Sequence, residues 1–216
     1  MGKRHAVVAG ASGLVGGHVV ERLLNPKTYF QVTILVRKQL NLTHPKLSQV
    51  VVEYPIIPKL EAVDDVFSCL GTTMKKAGSQ EAFKAVDFDA VLAVARAGLA
   101  AGARQFLHVT AVGANPRSSI FYNRIKGEIE QAVAALGYPT VHHFRPSMLE
   151  GERPDARMGE RMGLAVMRSL TPVLSFTKYA PIHANTVASA MISAAARDDE
   201  GVWTHESDEI ARMVGA

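Results

Sequence analysis

Apolar residues along the chain change their period at regular intervals, and those changes divide it into alternating strands and helices. Residues 4–9 form a short apolar run with the β-branched Val7 and Val8, which predicts a buried strand. Val15, Val19, Val20, Leu23 and Leu24 recur at helical spacing, so a helix follows. Asn25-Pro26 breaks that pattern, and residues 31–36, 50–53 and 63–70 read as the second, third and fourth strands. Ser79 is placed to cap a long helix with an inward stripe of Phe83, Val86, Ala90, Val94, Ala97 and Ala101, stopped by Gly102. Leu92 and Leu99 fall off that stripe, so the helix is expected to be covered on a second side by a neighbouring element or a second subunit. Residues 105–109 predict a fifth strand. Phe121, Ile125, Ile129, Val133 and Leu136 mark a further helix ended by Gly137, and residues 140–144 a sixth strand. Beyond Arg145 the pattern loosens: a polar loop over 151–155, a methionine-rich helix over 156–170, a small-residue helix over 185–196, a late strand over 202–205, and Ser207 as the cap of a last helix.

The period changes from strand to helix across Gly10-Ala11-Ser12-Gly13-Leu14-Val15-Gly16. Three glycines at this junction have a mechanical purpose: one for a tight turn, one for close approach of backbone amides to a pyrophosphate, and one for packing the helix on its strand. The helix N-terminus adds unpaired amides and partial positive charge. Strand–helix alternation over this length predicts an α/β fold, a doubly wound parallel sheet of Rossmann type. The expected organisation is one NAD(P)-binding domain over 1–216, with substrate-side elements mainly in 146–216.

Composition narrows the function classes. A chain of 216 residues buries a sizeable core without disulfides or metals, and the single Cys69, ending the apolar run 66–70, reads as a core residue. Residues typical of a secretory leader do not precede the first strand, and no apolar run reaches membrane-span length, so a cytoplasmic protein without membrane contact is expected. The formal charge of +4 is dispersed, with only short pairs such as Arg37-Lys38 and Lys75-Lys76, so nucleic acid is not an expected partner. A phosphorylated cofactor and a small-molecule substrate fit that balance, with the chain a monomer or homodimer.

The strand ends carry the candidate ligand contacts. Arg37 and Lys38 stand where an acid would hold a ribose 2′-hydroxyl and where arginine accommodates a 2′-phosphate, so NADP(H) is expected ahead of NAD(H). Leu70, Gly71 and Thr72 follow the fourth strand and are expected to line the cofactor. Arg145 and Pro146 complete the set at the end of the sixth. His142 and His143 are consecutive on a strand and leave opposite faces, so they cannot share a metal; no metal is expected. Met148, Met158, Met162 and Met167 suit a core or a deformable pocket wall.

The spacing G-x-x-G-x-x-G resembles the short-chain dehydrogenase/reductase superfamily, particularly its extended and atypical branches. Tyr122 and Lys126 lie four apart, hence on one helical face, a dozen residues after the strand-end hydroxyl of Thr110. Thr110, Tyr122 and Lys126 fall on that family's Ser, Tyr and Lys positions. Cys69-Leu70-Gly71-Thr72-Thr73, Lys76-Ala77-Gly78 and the run from Phe121 to Glu128 resemble the atypical Tat-interacting-protein-like oxidoreductases. Hydride transfer to a carbonyl leaves charge on oxygen, so a proton donor must be in reach, and tyrosine is too weak an acid near neutrality unless a cation favours its phenolate. The resemblance implies Tyr122 as general acid/base, Lys126 as that cation and as a ligand of the nicotinamide ribose, Thr110 as the group orienting the substrate oxygen, and His183 beside the cofactor pocket. Two residues depart from the pattern: threonine replaces the usual serine at 110, and Asp87 stands where many relatives have asparagine. The expected function is NADP(H)-dependent oxidation or reduction of a small alcohol or carbonyl. The alternatives are a non-catalytic NADP(H)-binding regulator and a nucleotide-sugar epimerase or dehydratase, the latter disfavoured by the short segment after the sixth strand.

Overall fold

Strands built from consecutive apolar residues have to be covered on both faces, and β1 (Arg4–Ala9) accordingly lies in the interior of a seven-stranded parallel sheet. The computed structural model describes residues 4–25, 28–150 and 179–215. The other strands are β2 (Tyr29–Val36), β3 (Leu47–Val51), β4 (Asp65–Ser68), β5 (Gln105–Val109) and β6 (Thr140–Arg145). A two-residue parallel pair, β7 (Leu149–Glu150) with β8 (Ile182–His183), lies outside the sheet, and β9 (Gly201–Glu206) closes its edge. The order is β3-β2-β1-β4-β5-β6-β9. It reverses between β1 and β4, the switch point where such sheets open a crevice for ligands.

Alternate residues of β1 feed two cores. Ala6 and Val8 pack with α1 (Leu14–Leu24), α6 (Ala184–Arg197) and Ile210 of α7 (Ser207–Arg212). Val7 and Ala9 face Val91 and Val94 of α4 (Val91–Ala100) and Ile129 and Val133 of α5 (Phe121–Ala134). The doubly wound architecture expected from the alternation is therefore present among the described residues.

Three elements differ locally from expectation. The third strand starts at Leu47 rather than residue 50, because pairing with β2 begins at Val32 opposite Leu47; as an edge strand it is only half covered and lacks a continuous apolar signature. Ser207 is the first residue of α7 and not its cap; its hydroxyl donates instead to the Ala180 carbonyl at 3.2 Å. Ser79 does cap its helix, accepting from the Ala82 amide at 3.1 Å, but the helix is not continuous. After the short α2 (Met74–Ala77), α3 (Gln80–Lys84) passes into a π turn over Ala85–Ala90 before α4. The extra residue per turn rotates the inward face, so Asp87 is buried and Val86 only partly. The polar loop over 151–155 and the methionine-rich helix over 156–170, with Met158, Met162 and Met167, lie outside the described residues.

Candidate cofactor and active site

The glycine turn sits where β1 and β4 part. Gly10 has φ +84°, a conformation that favours glycine, and a Cβ there would lie 2.5 Å from the Cys69 carbonyl oxygen. The turn after β1 and the turn after β4 are thus pressed against each other. A Cβ on Gly16 would lie 2.1 Å from the Gly10 oxygen, so α1 docks on its own turn. Gly13 is different: its φ of −84° suits any residue, and a Cβ would meet the Gly10 oxygen at a tolerable 3.2 Å.

The residues present fit a pyrophosphate. Helix α1 begins at Leu14 with no side-chain cap and no acid in its first turn, leaving its amides and positive end for an anion. Ala11 is buried beneath the turn, while Ser12 and Gly13 are exposed on it. Val15 and Gly16 are buried against the sheet side, with Leu14 half-buried. Arg37 and Lys38 follow β2 with both side chains exposed and no acid beside them in sequence. Burial pushes the phenol of Tyr54 up to about 12, against the opposing field of the Arg37 guanidinium.

Across the crevice, Lys126 is buried on α5 and its Nζ lies 2.7 Å from Asp87 Oδ1. Asp87 Oδ2 accepts the Thr72 backbone amide at 2.8 Å. A Cβ on Gly71 would lie 3.4 Å from Asp87 Oδ1 and 3.7 Å from Lys126 Nζ. The turn after β4, the π turn and α5 therefore converge on one ion pair. Burial favours loss of the lysine proton, but the Asp87 carboxylate, Tyr122 and Glu130 outweigh it and hold the amine above its usual value. Tyr122 is half-buried one turn before Lys126, its ring 5.4 Å from that of the fully buried Phe83. Leu70 is half-buried at the same turn and packs on the core beneath.

Thr110 and Arg145 are both tied to one buried acid, Glu130. The Thr110 hydroxyl is buried and donates to Glu130 Oε1 at 2.6 Å. Arg145 grips the same carboxylate with Nε at 2.9 Å and Nη2 at 2.5 Å, and reaches Glu206 Oε1 with Nη1 at 3.1 Å. Three of its N–H groups are given to two carboxylates. Pro146 is buried behind it, with its carbonyl accepting from Val112. Glu130, one turn past Lys126, belongs to none of the motifs, although an acid at i+4 from the lysine on an otherwise apolar face is a signal for it.

The remaining candidates resolve simply. Burial lifts the Cys69 thiol to about 12, which suits packing and not nucleophilic attack. His142 pairs with His205 at 3.0 Å on one face of the sheet, and His143 pairs with His108 on the other, as their adjacency on β6 requires. No metal-binding cluster occurs among the described residues. His183 is exposed just before α6, with Nε2 3.3 Å from Glu150 Oε2; Met148, two residues before Glu150, is exposed.

An uncapped glycine turn at the switch point of a 3-2-1-4-5-6 sheet defines a dinucleotide-binding Rossmann protein. The chain belongs to the NAD(P)H-binding family, whose model matches residues 10–138, and is an atypical short-chain dehydrogenase/reductase of the HTATIP2-like branch. It is 32% identical over 222 residues to Protein FMP52-1, mitochondrial, of Scheffersomyces stipitis, covering 96% of this chain and 97% of the relative. It is also 32% identical over 177 residues to Protein HTATIP2 of Rattus norvegicus, covering 79% and 73% respectively. Among solved structures, MoeE5 in complex with UDP-glucose and NAD superposes with a TM-score of 0.70 at 17% identity, over 99% of this chain and 82% of that one. The human epimerase family protein SDR39U1 with NADPH gives 0.63 at 17% identity, over 94% and 74%. These last two similarities establish the fold. The expectation of a cytoplasmic protein is corrected: the FMP52 relatives are named as mitochondrial. Among the described residues no helix is long and apolar enough to cross a membrane.

Proposed function

We propose that the chain is an NADP(H)-dependent oxidoreductase that reduces a small carbonyl, or oxidises the matching alcohol, with Tyr122 as the proton donor. The observation that carries this reading is the convergence at Gly71: the loop expected to line the cofactor lies within contact range of Lys126, one helical turn from Tyr122. The amides opening α1 hold the pyrophosphate, and Arg37 with Lys38 meets the 2′-phosphate. When bound, NADPH supplies a hydride to the carbonyl carbon. The alkoxide that forms needs a proton, which leaves the Tyr122 hydroxyl, and the Lys126 ammonium stabilises the phenolate left behind. The ring of Phe83 packs against the tyrosine ring at 5.4 Å.

A non-catalytic NADP(H)-binding regulator is the second reading, and one observation favours it: the Thr110 hydroxyl already spends its proton on Glu130, so it is not free to donate to a substrate oxygen. Oxidation of NADPH against a panel of small aldehydes and ketones separates the two. Turnover that falls about 10²- to 10⁴-fold in Tyr122→Phe, with NADPH affinity retained, supports the enzyme. No turnover across the panel, with tight NADPH binding, leaves the regulator.

A further inference from the structure

Arg37 and Lys38 open an arch over residues 37–46 that joins β2 to the edge strand β3 and is exposed over most of its length. Adjacent cations repel each other, so a backbone path that keeps both on one anion has to be imposed from elsewhere. β3 supplies it. Gln49 lies two residues from Leu47, on the same face of the strand, and its side-chain amide meets the arch as a rung of a sheet would. Its Oε1 accepts the Leu40 amide at 2.9 Å, and its Nε2 donates to the Leu40 and Leu42 carbonyls, each at 2.9 Å. Upstream, Val36 is fixed within β2, its carbonyl accepting from Val52 at 2.8 Å. The span Arg37-Lys38-Gln39 is thereby held at both ends. Leu40 also packs on the core, but beyond it a cavity of about 290 Å³ opens, lined by Leu42 and His44 of the arch and by Val20 and Leu24 of α1. At Leu42, then, packing contributes little, and the bonds from Gln49 set the path.

We infer that Gln49 is a positioning residue for cofactor choice: it fixes the arch so that Arg37 and Lys38 are presented together to the 2′-phosphate. This rests on the proposed contact of those two cations with the phosphate. A primary amide has two donor hydrogens, and both are spent on the arch, so Gln49 acts through the backbone and not on the cofactor. Without it the arch has to be ordered at the moment of binding, and that cost falls only on a ligand that needs the arch. NADPH needs it; NADH, which lacks the 2′-phosphate, does not. Loss of Gln49 therefore changes selectivity, whereas a general loosening of the fold weakens both cofactors alike.

Gln49→Met keeps the length and bulk of the side chain and deletes all three hydrogen bonds. Calorimetric titration of the full chain is expected to show NADPH binding weakened about fivefold to tenfold and NADH binding within about twofold of wild type. Ser48→Ala, an exposed change on the same strand, is expected to leave both affinities unchanged. The Leu40 amide, released from Oε1, is expected to exchange its hydrogen about tenfold faster or more in Gln49→Met. In a wild type that prefers NADPH, the inference alone is overturned by equal weakening of both cofactors, by unchanged NADPH affinity, by unchanged Leu40 exchange, or by a Ser48→Ala that narrows selectivity as far as Gln49→Met does. A wild type that does not discriminate, or a preference that survives in Arg37→Ala/Lys38→Ala, overturns the phosphate contact as well. Should Gln49→Met fail to fold, Gln49→Asn, one methylene too short to span both carbonyls, is read for the same loss of selectivity.

Discussion

Thr110 and Glu130 share a buried 2.6 Å hydrogen bond in which the hydroxyl donates. The same carboxylate takes two bonds from Arg145, so the threonine serves the junction between β5, β6 and α5. Thr110→Val removes the donor without changing shape, and Arg145 still satisfies the carboxylate. The expected result is a loss of about 1 kcal/mol of stability, with turnover within about twofold of wild type. Urea unfolding beside NADPH oxidation checks both. A loss of turnover comparable to that of Tyr122→Phe would return Thr110 to the substrate.

Arg37 is exposed at the end of β2, with no acid next to it in sequence. NADPH is therefore expected to bind more tightly than NADH, by the tenfold to hundredfold that a charge-assisted pair of about 1.5–3 kcal/mol provides. Arg37→Ala should erase most of that preference while leaving NADH affinity unchanged. Raising the salt should narrow the wild-type gap as well, because the contact is open to solvent. Equal wild-type affinities for the two cofactors would contradict this assignment.

The glycine turn, the strands around it and the Tyr122–Lys126 pair were legible because each is written in local spacing: a change of period at Gly10, and two side chains one helical turn apart. The inward position of Asp87 was not. A π turn adds a residue without altering the apolar pattern enough to show it, so a stripe through Val86 and Ala97 is rotated from the true one. Nor could the partners of Thr110 or the histidines be read. Glu130 lies twenty residues downstream of Thr110, and His108 meets His143 only because β5 and β6 pair in register. Strand order and register are tertiary facts, and a sequence pattern of period two fixes the face but not the neighbour.

The paired histidines set the acid stability. Burial and neighbouring positive groups lower His142 and His143 to about 4 and hold His108 well below its usual value. An unfolded chain protonates these imidazoles near pH ~6.5, so between that value and about 4 the unfolded state binds more protons, and acidification favours it. Asp65 works in the opposite sense. Burial raises it to about 6 against the pull of Arg4 and the Tyr29 hydroxyl, so its contribution is fully present at low pH and fades as the pH rises through about 6. Three imidazoles oppose one carboxyl, and a shift of this size is worth about 3 kcal/mol. Stability is expected to fall by at least that order between pH 7 and pH 4.5, measured by urea unfolding at fixed salt. A level profile would mean that the imidazoles titrate normally in the fold.

Gly13 and Gly16 test whether the turn binds or merely packs. At Gly16 a Cβ would stand 2.1 Å from the Gly10 oxygen and 2.7 Å from its carbonyl carbon. Backbone cannot yield as a side chain does, so Gly16→Ala forces α1 off its strand and should cost about 1–3 kcal/mol or more of stability. At Gly13 the backbone is extended and the nearest atom is 3.2 Å away, so Gly13→Val should fold, at a cost of about 1 kcal/mol for a poor N-cap. Its branched side chain, however, stands at the exposed opening of α1, where the pyrophosphate has to approach the amides. NADPH affinity is expected to fall at least a hundredfold in Gly13→Val while its unfolding midpoint moves little. Gly16→Ala should lower the midpoint far more than Gly13→Val does. Calorimetric titration with thermal unfolding on both variants gives the comparison. Unchanged NADPH affinity in a folded Gly13→Val would show that the cofactor does not lie on this turn, and the site built around Lys126 would then need a different ligand.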